Sequence, residues 1–268
     1  MIGQISSSGK MGNALFQLIF LRQISAALDE SIFHMRWKEL TDFLDTGYRL
    51  DDPFSLCRSY RVLGLEELNE MGKDQFLVEC GKTLQRKNVI IRPGVLGSHF
   101  FEFTERDPRE LIKPVNSMRG NESVERPYAA IHFRGLDFHQ WNSSAVMDYK
   151  FYADSIASLI SEVGDSEYPI KVVTDDPKHP VVEKILKISK NVSLSRDGTR
   201  MTDFRILARS RFLVASPSTF SFWGGILGQN KTIIHSKKWV ESRANYGENF
   251  WINILGIKEF YEHNFRQI

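Results

Sequence analysis

TDFRILARSRFLVASPSTFSFWGGILGQNKTIIHS, residues 202–236, decides the fold. It opens with a helical stretch from Thr202 to Ser210, passes into the apolar run RFLVAS, returns to a helical pattern from Thr219 to Leu227 and closes on KTIIHS. Short apolar runs bounded by turn residues predict strands buried on both faces. Strands that alternate with helices predict a parallel sheet with right-handed crossovers. The rhythm continues upstream, where YAAIHF, YPIKVVT and NVSLS are expected as strands, with helices over Tyr149 to Val163 and His179 to Ile188. A Rossmann-like lobe over residues 116–240 follows. It opens with NSMRGNESVERP (116–127), a polar stretch with Gly and Pro that suits a linker between the lobes.

The first 115 residues carry a weaker form of the same pattern. A short apolar segment, Ile2 to Ser6, leads into Gly9-Lys10-Met11-Gly12-Asn13, and then Leu15, Phe16, Ile19, Phe20 and Ile24 recur at helical spacing as far as Leu28. FHMRW, FLVEC and NVIIRP are expected as further strands, which makes residues 1–115 a second α/β lobe. The aromatic-rich segment 241–268 is expected to pack back on that first lobe.

Composition narrows the function. A formal charge of +2 gives no global field for nucleic acid, so any anion must be held locally. Cys57 and Cys80 form neither a CxxC pair nor a Cys/His cluster, which points away from a zinc site or a disulfide framework. No window approaches the roughly 18 apolar residues of a membrane span. The chain therefore reads as cytoplasmic, and a peripheral membrane contact stays open.

Parallel sheets bind ligands beyond the carboxyl ends of their strands, where loop amides and helix N-termini converge. After YAAIHF comes Arg134-Gly135-Leu136-Asp137. His132 and Arg134 fall on one face if the strand persists, and a guanidinium there suits a diphosphate through paired hydrogen bonds. A surface pair of Arg134 with Asp137 reads equally well. After YPIKVVT comes Asp175-Asp176-Pro177, either a helix cap at Asp176 or a metal-binding pair. After RFLVAS comes Pro217-Ser218-Thr219-Phe220, either a cap by Ser218 or an anion cradle made of hydroxyls and amides. Asp203 reads as a cap or as a base-recognising carboxylate. The Gly9–Asn13 loop is neither a dinucleotide fingerprint nor a Walker loop, which weakens nicotinamide and ATP readings.

Together these segments resemble the GT-B fucosyltransferase superfamily. GKMGNALFQLIFLRQIS is similar to the opening of bacterial α-1,2-fucosyltransferases of glycosyltransferase family 11, and IHFRGLDF to their H-x-R-R-G-D-Y motif. VVTDDP resembles the T-D-D-P segment of α-1,6-fucosyltransferases, and DFRILARSRFLVASPSTFSFWGGIL the Ser-rich block of the superfamily. The resemblance implies two Rossmann-like lobes around an interlobe cleft and an inverting transfer of fucose from GDP-fucose to a glycan hydroxyl, without metal or cofactor. Arg134 is then the catalytic cation on the GDP phosphates, His132 and Asp203 lie near guanine and ribose, Ser218, Thr219 and Phe220 bind phosphate, and Gly12 and Asn13 line the cleft. Asp137 is the carboxylate expected to act as base or to orient the acceptor. Gly135 and Leu136 depart from the pattern, since the second Arg of H-x-R-R is missing. That departure keeps other donors (GDP-mannose, a UDP- or dTDP-sugar) and a non-catalytic glycan- or nucleotide-binding relative as alternatives.

Overall fold

The computed structural model of the protein describes residues 2–4, 10–30, 32–34, 40, 60–85, 88–92, 126–136, 138, 146–195, 198–228, 230, 232–236 and 265–267. The chain divides into two compact units, Met1–Val115 with Trp251–Ile257, and Asn116–Phe250 with Lys258–Ile268.

The first unit contains β1 (Ile2–Gln4), α1 (Met11–Leu28), β2 (Ile32–His34), β3 (Tyr60–Gly64), α2 (Leu65–Leu84) and β4 (Asn88–Arg92). Its strands form a parallel sheet in the order β2-β1-β4-β3. Ile2 and Val89 from the sheet, Phe20, Leu21 and Ile24 from α1, and Phe76 and Cys80 from α2 make one buried cluster. Each such side chain stabilises the unit by roughly 1.5–3 kcal/mol through the apolar surface it removes from water. From Met11 to Ile24, α1 is buried everywhere except at Asn13 and Arg22, so it is covered on more sides than its expected amphipathic pattern implies.

FLVEC, expected as a strand, is residues 76–80 of α2. Phe76 and Cys80 are buried four residues apart while Val78 between them is 48% exposed. A run of apolar residues this short fits a strand or a helix, and here the wider 3.6-residue period prevails. Gly72, at φ 71°, breaks the helix earlier in the same segment. That φ lies in the region glycine occupies without steric penalty.

The second unit contains β5 (Ala129–Phe133), α3 (Tyr149–Val163), β6 (Ile170–Thr174), α4 (Pro180–Leu186), β7 (Val192–Leu194), α5 (Arg200–Arg209), β8 (Phe212–Ala215), α6 (Thr219–Leu227), β9 (Thr232–His235) and β10 (Phe265–Gln267). All six strands are parallel, in the order β10-β9-β8-β5-β6-β7. From β5 the chain steps outward to β6 and β7, returns to the far side of β5 as β8, and steps outward again. Right-handed crossovers then place helices on opposite faces of the sheet for the two directions of travel. Accordingly Ala129, Ile131 and Phe133 pack with Phe151, Tyr152, Ile156 and Leu159 of α3 and Val182 and Ile185 of α4. On the other face Ala130, Val173, Leu213 and Ala215 pack with Leu207 of α5 and Phe220 of α6.

Local signals fix the helix ends. The Asp148 side chain accepts from the Phe151 N–H at 2.9 Å to start α3, and Gly164 at φ 68° ends it. The cap of α4 corrects the expectation for Asp176. His179 is the N-cap, its Nδ1 accepting from the Val181 N–H at 3.2 Å, with Pro180 opening the helix. Likewise Thr199, and not Asp203, caps α5 by accepting from the Thr202 N–H at 3.1 Å. At the far edge β10 pairs with β9 of the second sheet, which corrects the expectation that the closing segment as a whole packs on the first lobe. Arg266 of β10 reaches Glu162 and Ser158 of α3 at 3.1 and 2.6 Å, so a cation and two acceptors hold this edge strand.

Candidate functional site

The reversal of strand order makes β5 and β8 neighbours that feed helices on opposite faces, so their carboxyl ends flank an open crevice, the place where sheets of this kind bind ligands. β5 ends at Phe133 and β8 at Ala215. What the sequence puts next, Arg134-Gly135 on one side and Ser216-Pro217-Ser218 on the other, is therefore brought together by topology.

His132 joins the two strand ends. Its Nδ1 lies 2.7 Å from Ser216 Oγ, its carbonyl accepts from Tyr152 Oη at 3.2 Å, and its ring lies 5.5 Å from that of Phe220. Burial, with the positive charge of Arg134 as a lesser cause, lowers its pKa to about 3. His132 is therefore a neutral hydrogen-bonding group near pH 7. Burial also pushes the Tyr152 hydroxyl well above the usual phenol range, so it stays a donor.

The ladder of β5 ends at Phe133, one residue before Arg134. Arg134 Nε lies 3.0 Å from Asp175 Oδ2, at the end of the neighbouring strand β6. Asp175 Oδ2 nonetheless has no partner of hydrogen-bonding geometry, so this is a contact of charges off the N–H axis. The other oxygen, Oδ1, accepts from the Gly135 N–H at 2.9 Å. The arginine also stands over the Phe138 ring, 5.6 Å from its centroid. Asp137, expected as its partner or as a base, lies outside the described residues. Gly135 is hemmed in, since a Cβ there would come within 2.9 Å of Phe133 Cε1 and 3.1 Å of Asp176 Cβ. Phe133 is fully buried against Tyr152 and His179, so it cannot yield cheaply.

Across the crevice, Ser218 caps α6, its Oγ accepting from the Phe220 N–H at 3.2 Å. Ser221 Oγ donates back to the carbonyls of Ser216 and Ser218 at 2.9 and 3.2 Å, which ties the turn to the helix. The Phe220 ring sits between His132 and Phe204, at 5.5 and 5.3 Å, with Thr219 before it as the first residue of the helix. Asp203 lies in the first turn of α5. Gly12 and Asn13 lie in the first turn of α1, in the other unit. Trp37, Phe100, Phe101, Tyr246 and Trp251, candidate sugar-stacking faces, lie outside the described residues.

Sequence reasoning did not single out Ser216 and gave Asp175 no bond to Arg134. Both contacts depend on which strands are neighbours. The register Phe133↔Thr174 and Ile131↔Val214 creates them, and spacing along the chain does not reveal it.

The arrangement has relatives. A crystal structure of POFUT1 in complex with GDP-fucose is similar at 10% identity and TM-score 0.59, over 85% of this chain and 95% of that one. The fucosyltransferase NodZ from Bradyrhizobium is similar at 12% identity and TM-score 0.52, over 88% of this chain and 94% of its own. At such identities the likeness establishes the fold, and it agrees with the expected GT-B-like α/β class of parallel sheets. No curated protein sequence matches the chain. Among the described residues no helix is long and apolar enough to cross a membrane, and no group of His, Cys, Asp or Glu could hold a metal ion. The segment from before the linker through the whole second sheet up to β9, with the crevice inside it, is what the model of "Glycosyl transferase family 11" matches, over residues 101–258; it spans more than half of the chain, which thus belongs to that glycosyltransferase family.

Proposed function

We propose that the protein transfers fucose from GDP-fucose to a hydroxyl of a glycan acceptor, with inversion at the anomeric carbon and without a metal ion. Membership of family 11 supports the transferase class, and fold relatives whose structures hold GDP-fucose favour this donor. The observation that carries the reading is the 2.7 Å contact between His132 and Ser216, because it ties together the strand that delivers Arg134 and the strand that delivers the N-terminus of α6. A guanidinium on one side and a helix N-terminus on the other suit a departing diphosphate, whose growing charge is the main barrier in sugar transfer.

In this mechanism the bond from sugar to GDP breaks ahead of attack. Arg134, with Ser218 and Thr219 at the start of α6, balances the leaving pyrophosphate. His132, held neutral, and Asp203 face guanine and ribose, and Phe220 backs His132. The acceptor hydroxyl then attacks a sugar that already carries positive charge, so a strong base is not required; Asp137 orients or deprotonates that hydroxyl. Residues 1–115 supply the acceptor side, with Gly12 and Asn13 among the residues that approach the substrates. The setting proposed is cytoplasmic.

Calorimetry with GDP, UDP and dTDP, followed by turnover of GDP-fucose and NMR of the product, tests the reading. GDP is expected to bind tightest, and the product to have the anomeric configuration opposite to that of the donor. Preference for UDP or dTDP would overturn the donor assignment, and tight GDP binding without turnover would favour a non-catalytic relative.

A further inference from the structure

We infer that Asp175 is the positioning residue for Arg134: its carboxylate is clamped in place by the Gly135 N–H and holds the guanidinium in the orientation that receives the diphosphate. The inference rests on the proposed role of Arg134 and adds the residue through which that role is set.

Four observations converge on it. Asp175 Oδ1 is fixed by the Gly135 N–H at 2.9 Å, and Oδ2 stands 3.0 Å from Arg134 Nε. Both residues of the contact directly follow adjacent strands, with Phe133 opposite Thr174, so the sheet sets the separation of their backbones. The carboxylate sits in a braced turn, in which the Asp176 N–H donates to Thr174 Oγ1 at 2.9 Å and the His179 N–H to the Asp176 carbonyl at 3.2 Å. The pair is largely withdrawn from solvent, with side-chain exposures of 14% for Arg134 and 23% for Asp175, so screening is weaker than for a surface pair. A guanidinium is a planar fork. The contact is one of charges at Nε, away from the edge of two Nη nitrogens that suits a diphosphate.

The residue that follows explains why such a clamp is needed. Where the resembling motif carries a second arginine, this chain has Gly135, and the space a Cβ would take there lies 2.9 Å from Phe133 and 3.1 Å from Asp176. Among the described residues, Arg134 is the cation that directly follows this strand. An arginine side chain has several rotatable bonds, and a contact that places it in advance spares part of the ordering cost when an anion binds.

Charge and orientation predict opposite signs for one substitution. A carboxylate beside a phosphate-binding arginine weakens the local field for an anion, so by Coulomb's law alone Asp175→Asn should tighten GDP binding. If Asp175 acts by holding Arg134, the same change should weaken it. The Asn side chain keeps an oxygen for the Gly135 N–H, so the turn survives. We expect calorimetry on Asp175→Asn to give GDP affinity about tenfold lower with a melting temperature near that of the unsubstituted protein, and the loss to vanish when Arg134→Ala is already present. GDP affinity unchanged or raised in Asp175→Asn, or an equal loss in the Arg134→Ala background, would overturn the inference while leaving Arg134 as the phosphate ligand. Undiminished GDP binding by Arg134→Ala would overturn both. Should Asp175→Asn not fold, Asp175→Glu keeps the charge and displaces the guanidinium by one methylene; the same loss is then expected, and wild-type affinity would refute it.

Discussion

The switch point of the second sheet, between β5 and β8, carries Arg134, a buried neutral His132 and Ser216, Ser218 and Ser221 around a helix start that is capped by a side chain. The corresponding point of the first sheet, between β1 and β4, is followed by α1, whose N-cap Lys10 makes no side-chain cap hydrogen bond and whose first turn presents Gly12 and Asn13. Both are parallel sheets with a strand, a loop and a helix at the reversal. Among the described residues, the second adds Arg134, placed against Asp175, and serine hydroxyls to the positive end of its helix, a combination that suits an anion. The first presents Gly12 and Asn13 in its opening turn, behind a lysine at the N-cap, and these small side chains suit close approach by a group such as a sugar ring. The same topology thus recurs in both sheets, and on the proposed reading side-chain charge suits the second to the nucleotide.

The widest test of this asymmetry is Arg134→Ala against Asn13→Ala. Loss of the cation is expected to lower turnover of GDP-fucose by on the order of 10²-fold or more, with GDP binding weakened by calorimetry. Asn13→Ala should cost about tenfold or less in turnover and leave GDP affinity intact. A larger loss of GDP binding in Asn13→Ala would erase the distinction.

Gly135→Ala tests whether steric closure fixes the second switch point. The added methyl meets Phe133 in a packed core, and denaturant unfolding should show roughly 1–3 kcal/mol of destabilisation. An unchanged midpoint would mean that the turn has slack.

Acid should reach the second unit through its buried histidines. The folded pKa of His132 is about 3 and that of an unfolded histidine about 6.5, so below pH 6.5 the unfolded chain takes the proton first. Stability is then lost as pH falls from 6.5 towards 3 and the loss levels off below that. His132 alone accounts for about 2 kcal/mol between pH 6.5 and 5. His235, lowered to about 4 chiefly by burial, adds to the slope over the window from 6.5 to 4. Urea unfolding at several pH values should give a shallower slope for His132→Asn; an identical slope would show that the imidazole is not kept neutral.

The smallest contrast compares the two helix starts. Ser218→Ala should cost about 1 kcal/mol by removing the cap on the Phe220 N–H. Lys10→Ala should stay within about 0.5 kcal/mol, having no cap bond to lose. Equal costs would mean that the capping difference is energetically empty.

The second unit was largely legible in the sequence because its strands are buried on both faces and read as unbroken apolar runs between clear breakers: β5, β6, β8 and β9 lie within YAAIHF, YPIKVVT, RFLVAS and KTIIHS. FLVEC misled because five apolar-rich residues contain little more than one helical turn, too few to separate a period of 2 from one of 3.6. Helix caps were harder, since Asp176 and Thr199 are both capping types and only the backbone path shows which side chain reaches an N–H. The partner of Arg134 was beyond one-dimensional reasoning. Asp137 is three positions away in sequence, but Asp175 is the next strand over, and strand order is a property of the sheet.

The crowding at position 135 also bears on what mutation can reach. A codon change that installed an arginine there would arrive with its Cβ lodged against a buried phenylalanine and an aspartate, so the chain would lose stability before it gained a charge. Room must first be made at Phe133 or Asp176, in residues that do other jobs. A single substitution to arginine at this position is therefore expected to cost stability unless a compensating change comes first.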